Sequence, residues 1–195
     1  MKNTGLKKFT KRNLFTRQCI GEALIALLDE VPYDQINTSM ICKKAGISRM
    51  TFYHYFYTKN EIMNNYIYEI FAAFQHHISY PITMEIIRDY DHILQAILFF
   101  DQYAAFVLTL RKSGQYCLLL DNVNRYFEEV VAPSYSGSLY DLYFYSGALL
   151  NAFVMWEENG KQETPEELAD IMCRLLRNPC EDETDTHLQQ IVRRL

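Results

Sequence analysis

Residues 38–62, TSMICKKAGISRMTFYHYFYTKNEI, hold two short apolar-spaced segments on either side of one glycine. The first offers Asn37 or Thr38 as an N-cap, sets Ile41 and Cys42 on barely two turns of helix, and stops at Gly46. Only Ile47 then intervenes before Ser48, which caps a second short helix over 49–56. Two short helices across a tight glycine-containing turn form a helix-turn-helix arrangement. Phe52 and Phe56 are four residues apart, so they share a face, and that face is expected to pack inward.

Outward from this stretch the pattern stays helical. Upstream, Leu14, Phe15, Ile20, Ala23, Leu24, Leu27 and Leu28 recur at three-and-four spacing over 12–29, and Pro32 stops that helix. Downstream, Thr58 or Asn60 starts a long helix to about 78, with Ile62, Tyr66, Ile70 and Phe74 along one side. Further helices are expected over 84–101, 103–112, 115–131, 138–158 and 165–177, punctuated by Gly114, Pro133 with Gly137, and Gly160. Thr164, Pro165 and Glu167 give the last of these an N-cap, a first-turn proline and a capping-box glutamate. No strand alternation occurs, and 7 Gly with 5 Pro in 195 residues disfavour sandwiches and barrels. The expected fold is all-α: an N-terminal three-helix module over 1–60 joined to a C-terminal antiparallel helical domain over 61–195.

Charge divides the same way. Residues 1–60 carry ten Lys and Arg against four acids, whereas the remainder carries nine against twenty. A basic head on an acidic body suggests that the head meets an anion, with an unevenly solvated surface as the plainer alternative. Lys2, Lys7, Lys8 and Lys11 form a basic arm suited to a DNA backbone or minor groove, or to solubility alone. The tail over 181–195 reads equally as a short helix or as frayed chain.

Five cysteines, an odd number without C-x-x-C, suggest reduced thiols and no zinc knuckle. No apolar run reaches the length of a membrane span (HILQAILFF, over 92–100, is nine residues between two aspartates), and the basic N-terminus lacks a signal-peptide core. The expected location is the cytoplasm, with no membrane partner. His76 and His77 are adjacent and point about 100 degrees apart on a helix, so they cannot chelate one ion; no metal and no cofactor are expected. Neither a nucleophile elbow nor a phosphate-cradling glycine loop is present, and no enzyme is expected.

The quoted stretch resembles the helix-turn-helix of TetR/AcrR-type transcriptional regulators: Thr38, Ala45, Gly46, Ile47, Ser48, Thr51, Phe52, Tyr53, Phe56 and Lys59 fall on that family's pattern. WEENGKQETPEELADIMCRLL, over 156–176, is similar to the C-terminal region of a subgroup. The resemblance implies a homodimer that binds a palindromic operator in double-stranded DNA and answers a small-molecule effector, most often as a repressor. Arg49 begins the helix that enters the major groove, and its guanidinium has the reach to bridge guanine O6 and N7. Met50 makes apolar contacts there, Thr51 meets a phosphate or a thymine methyl, and Ser48 and Thr38 sit at the helix starts. By position, Tyr53 and Lys59 meet phosphates, and Tyr55 stands where relatives often carry a backbone-facing histidine; an aromatic core is the alternative for Tyr53, His54 and Tyr55. His54 lies on the same helix without an assigned role.

The resemblance implies an effector pocket for an apolar or aromatic molecule in the body, with Phe74, Phe99, Tyr103, Phe106, Tyr116, Phe127 and Tyr145 as its expected lining and simple core packing as the alternative. The resemblance implies a four-helix dimer interface from the last two long helices, with Leu142, Leu149, Phe153 and Trp156 on one and Leu168, Met172 and Leu175 on the other. A second functional class stays open: a regulatory interaction protein whose body binds another protein instead of a small molecule.

Overall fold

The computed structural model describes residues 11–176. The basic arm (Lys2, Lys7, Lys8 and the side chain of Lys11) and the tail 181–195 lie outside the described positions. Within them the chain is helical without a strand: α1 Lys11–Leu28, α2 Thr38–Ala45, α3 Arg49–Tyr55, α4 Lys59–His77, α5 Met84–Ile87, α6 Tyr90–Asp101, α7 Ala104–Lys112, α8 Tyr116–Tyr126, α9 Leu139–Glu158 and α10 Pro165–Leu176. Two compact units form. One runs through Ser79 and adds Ala105–Asn122; the other takes Tyr80–Ala104 and the chain from Val123 onward.

In the first unit α1 packs on α2 and α4. Its apolar stripe (Ile20, Leu24, Leu27) is buried with Ile41 of α2, Phe52 and Phe56 of the α3 segment, and Ile62, Met63 and Ile67 of α4. Each such side chain contributes roughly 1.5–3 kcal/mol by leaving water. Polar ties fix the register: Thr109 Oγ1 donates to Asp29 Oδ1 at 2.9 Å, and Asn122 Nδ2 to Asn64 Oδ1 at 2.8 Å. Arg17 stacks its guanidinium 4.7 Å from the Phe56 ring centre and donates to Asn65.

In the second unit α6 and α9 both pack on α10. The capping box expected at α10 forms, with Glu167 N–H donating to Thr164 Oγ1 at 3.2 Å and Thr164 N–H to Glu167 Oε2 at 2.8 Å. The preceding turn is held by Trp156, whose indole N–H donates to Glu163 O at 2.8 Å. A second capping box, Ser138 with Asp141, starts α9.

Two helix boundaries differ from the sequence expectation. The segment 84–101 is two helices, because Asp89 in extended conformation turns its carboxylate onto the N–H groups of Asp91 (3.0 Å) and His92 (3.3 Å) and so begins α6 afresh. The segment 115–131 leaves α geometry after Tyr126, widening into one π turn over Phe127–Val131 and then a 3-10 turn over Ala132–Ser134.

Candidate nucleic-acid interface

The helix-turn-helix is built by local hydrogen bonds that its own sequence supplies. Asn37 is the N-cap of α2: its side-chain oxygen accepts from Ser39 N–H (3.0 Å) and Met40 N–H (3.2 Å), which leaves Thr38 as the first helical residue. At the far end Gly46 turns left-handed (φ 66°), a conformation that favours glycine, and Ile47 N–H reaches back to Cys42 O at 3.0 Å. Ser48 then caps α3, accepting from Thr51 N–H at 3.0 Å, and its hydroxyl lies 2.9 Å from that of Thr51.

Faces separate on α3 as its spacing dictates. Phe52 and Phe56 are 1% and 2% exposed, so both anchor inward. Arg49, Met50, Tyr53 and His54 are exposed, Met50 at 87%, while Thr51 and Tyr55 are half-buried. The Tyr53 ring stands edge-on to Phe52 with centres 5.3 Å apart, and His54 is edge-on to Tyr55 at 5.0 Å. Arg49 rests its guanidinium on Ser39 Oγ across the turn. Burial raises the Cys42 thiol beneath it, and the Arg49 charge opposes that rise.

Two nominated side chains are engaged by the protein itself. The Tyr55 hydroxyl donates to Asn13 Oδ1 of α1. The Lys59 ammonium, at the start of α4, donates to the carbonyls of Tyr33 and Ile36, the latter at 3.1 Å, and lies 4.3 Å from the Tyr33 ring centre. Tyr33 in turn donates its hydroxyl to Asn60 Oδ1. Its own titration is raised by burial, as that of Arg17 is lowered by burial. Asn13 and Tyr33 lie outside the stretch that sequence spacing had singled out; Ser39 and Asn60 lie inside it but fall on none of its pattern positions. Exposed Tyr57, at 75%, follows the same helix.

The aromatic residues expected to line an effector pocket divide between the units. Phe74 and Phe106 are buried in the first, Phe106 edge-on to Tyr66 at 5.0 Å, and Tyr116 lies under Arg111. In the second, Phe127 and Tyr145 are buried, the latter donating to Leu176 O at 3.3 Å, while Phe99 and Tyr103 are half-buried with ring centres 5.8 Å apart. An open groove of about 590 Å³ in that unit is lined by Arg88, Asp89, Tyr90, Asp170, Ile171, Cys173 and Arg174. Of the residues expected at a dimer interface, Leu142, Phe153, Trp156, Leu168 and Met172 are buried within the chain, Leu149 is half-buried and Leu175 is exposed. Tyr140, Phe144 and Met155, at four- and eleven-residue intervals on α9, are exposed.

The family model of bacterial regulatory proteins of the tetR family matches residues 20–66, which span the second half of α1 through the first turns of α4. Among solved structures, the dihydroxyacetone kinase operon activator DhaS is similar at 19% identity and a TM-score of 0.55, over 84% of this chain and 94% of that one. Salmonella enterica GusR is similar at 16% identity and a TM-score of 0.45, over 87% of this chain and 96% of that one. No curated protein matches by sequence. The helix-turn-helix geometry and the family match coincide on the same residues, so residues 20–66 match the DNA-binding segment of bacterial regulatory proteins of the tetR family.

Proposed function

We infer that the protein works as a homodimer that reads a palindromic operator with two copies of α3 and represses until a small apolar or aromatic effector releases it. The observation that carries the reading is the outward row of Arg49, Met50 and Tyr53 on a helix whose opposite face is locked by Phe52 and Phe56. A guanidinium at the start of such a helix suits bidentate recognition of guanine, and the exposed methionine suits a thymine methyl. Ser48, Thr51 and Thr38 supply hydroxyls for phosphates at the helix starts, and His54 is exposed beside them.

Two recognition helices must reach successive major grooves, roughly 34–36 Å apart. An effector acts by binding unequally to the competent and incompetent spacings. Phe99 and Tyr103, the half-buried ring pair, are its suggested contacts. The mate would cover Tyr140, Phe144, Met155 and Leu175, which are among the apolar side chains of α9 and α10 that the single chain leaves exposed. The groove lined by two arginines and two aspartates favours a second reading, in which the body takes a charged protein segment.

Salt-titrated binding to duplexes selected from a random pool tests the function. A selected sequence should emerge, and Arg49→Ala should lose roughly 1–3 kcal/mol of preference at one base pair per half-site. Selection that yields no preferred sequence at moderate salt would end the operator reading. Release of the bound duplex by a small molecule, as against a stoichiometric protein, separates the two effector classes.

A further inference from the structure

The turn before α2 is gripped from one side by the first two residues of α4. Tyr33 opens a single 3-10 turn, Tyr33–Gln35, whose backbone closes through Ile36 N–H to Tyr33 O at 3.3 Å. Lys59 donates to the carbonyl of Tyr33 and to that of Ile36 at 3.1 Å, with its ammonium 4.3 Å from the Tyr33 ring centre. Asn60 accepts the Tyr33 hydroxyl. Main chain, ring and hydroxyl of one tyrosine are therefore all held by adjacent residues of α4.

An ammonium has three N–H groups, and two of these are spent on carbonyls. Meeting a phosphate with full strength would require giving up charge-assisted bonds to those carbonyls and the ring beneath. Ile36 is itself buried and immediately precedes Asn37, the residue whose side chain caps α2. Where the Ile36 carbonyl is held, the α2 N-cap is held, and through α2 and the tight turn after it so are Arg49 and Met50. A recognition side chain needs placement within about 0.5 Å for a bidentate contact, which a supporting shell of this kind supplies.

We propose that Lys59, acting through Tyr33 and the Ile36 carbonyl, is a positioning residue for the recognition helix and contributes to sequence preference by this clasp and not by neutralising a phosphate. The proposal rests on the operator-binding reading for its DNA arm, and its clasp has a test that needs no DNA.

The experiment compares the wild-type chain with Lys59→Met, Tyr33→Ala, the double variant, and Tyr33→Phe, which removes only the hydroxyl bond to Asn60. Each is titrated with a selected duplex and with a random duplex over a salt series, and each is melted without DNA. For Lys59→Met the expected result is roughly tenfold weaker binding to the selected duplex, the size of one charged hydrogen bond, with random-duplex binding and the salt slope unchanged. Tyr33→Ala should reproduce this, and the double variant should lose no more than either alone. Tyr33→Phe should show a smaller loss in the same direction while remaining folded.

A salt slope reduced by about 0.9, with selected and random duplexes weakened alike, would mean a phosphate contact and overturn the proposal. Additive losses of melting temperature in the double variant would overturn it as well, since a clasp couples its two halves. If the wild-type chain prefers no duplex, the operator reading fails, and the melting cycle alone then decides whether Tyr33 and Lys59 act as one unit.

Discussion

The hydroxyl of Tyr55, the last residue of α3, donates to Asn13 Oδ1 in the first turn of α1 at 3.1 Å. The bond joins the end of α3 to α1, so this ring steadies α3 from within the protein. Tyr55→Phe removes the bond and keeps the ring. Urea unfolding should show about 0.5–1.5 kcal/mol less stability. An unchanged midpoint would mean that the bond is worth nothing in water.

Much of this unit was legible before any coordinates. Cap residues, the glycine stop and the four-residue spacing of Phe52 and Phe56 are local devices, and local devices act through neighbours in sequence. Asn37, one of two candidate caps, took the role because its side chain reaches both following N–H groups. The engagements of Tyr55 and Lys59 were not legible, since their partners lie 42 and 26 or 23 residues away. The break before α6 was missed for a different reason. Asp89 sits inside an apolar-periodic run, where its capping geometry has no sequence punctuation beside it. Likewise the stripe Leu142, Phe153, Trp156 has helical spacing, but spacing does not say whether the chain's own helices or a mate bury it.

Two buried groups of the second unit pull stability in opposite directions with pH. His92 is 4% exposed, with Nδ1 3.2 Å from the Tyr80 hydroxyl, and burial lowers its pKa to about 4 against the partial opposition of Asp89. The neutral ring is the folded form, so its contribution is complete above 6.5 and is lost as pH falls toward 4, on the order of 2–3 kcal/mol. Glu157 is 6% exposed and shifts up to about 6, chiefly by burial and then by the Asp101 carboxyl, with Lys161 opposing. Its contribution is present below 4.5 and is lost as pH rises through 6, on the order of 1–2 kcal/mol. Between 4.5 and 6 the two therefore offset. His92→Gln should make the chain more stable on acidification through that window, and Glu157→Gln should steepen the acid loss. Denaturation midpoints of the three proteins at half-unit pH steps check both signs; parallel curves would discard the assignment.

Tyr140 and Phe144 are one turn apart on α9 and are 86% and 62% exposed, whereas Leu142 between them is 2% exposed. An aspartate at Phe144 should cost the proposed dimer roughly 2 kcal/mol or more while the monomer stays folded. An aspartate at Leu142 should instead unfold the chain, because it places a charge in the interior. Sedimentation with circular dichroism distinguishes the two outcomes. A Phe144→Asp protein that sediments like the wild type would move the mate off this face.

Gly21 of α1 faces Tyr66 of α4. A Cβ there would stand 2.7 Å from Cδ2 of Tyr66, nearer than carbon atoms pack, and that ring is itself edge-on to Phe106 at 5.0 Å. Alanine is otherwise better than glycine in a helix by about 0.8–1 kcal/mol, so two effects of opposite sign meet at this position. Because the ring is packed edge-on against buried Phe106, its retreat would disturb that contact, and overpacking of this kind costs about 1–3 kcal/mol. Overpacking should win, leaving Gly21→Ala less stable than the wild type by about 1 kcal/mol. The cause can be isolated by making the same change where Tyr66 is already alanine. With the ring gone the clash is gone, and Gly21→Ala should then stabilise the Tyr66→Ala protein by the helical preference alone. A loss in both backgrounds would place the strain in the α1 backbone and not in its approach to Tyr66.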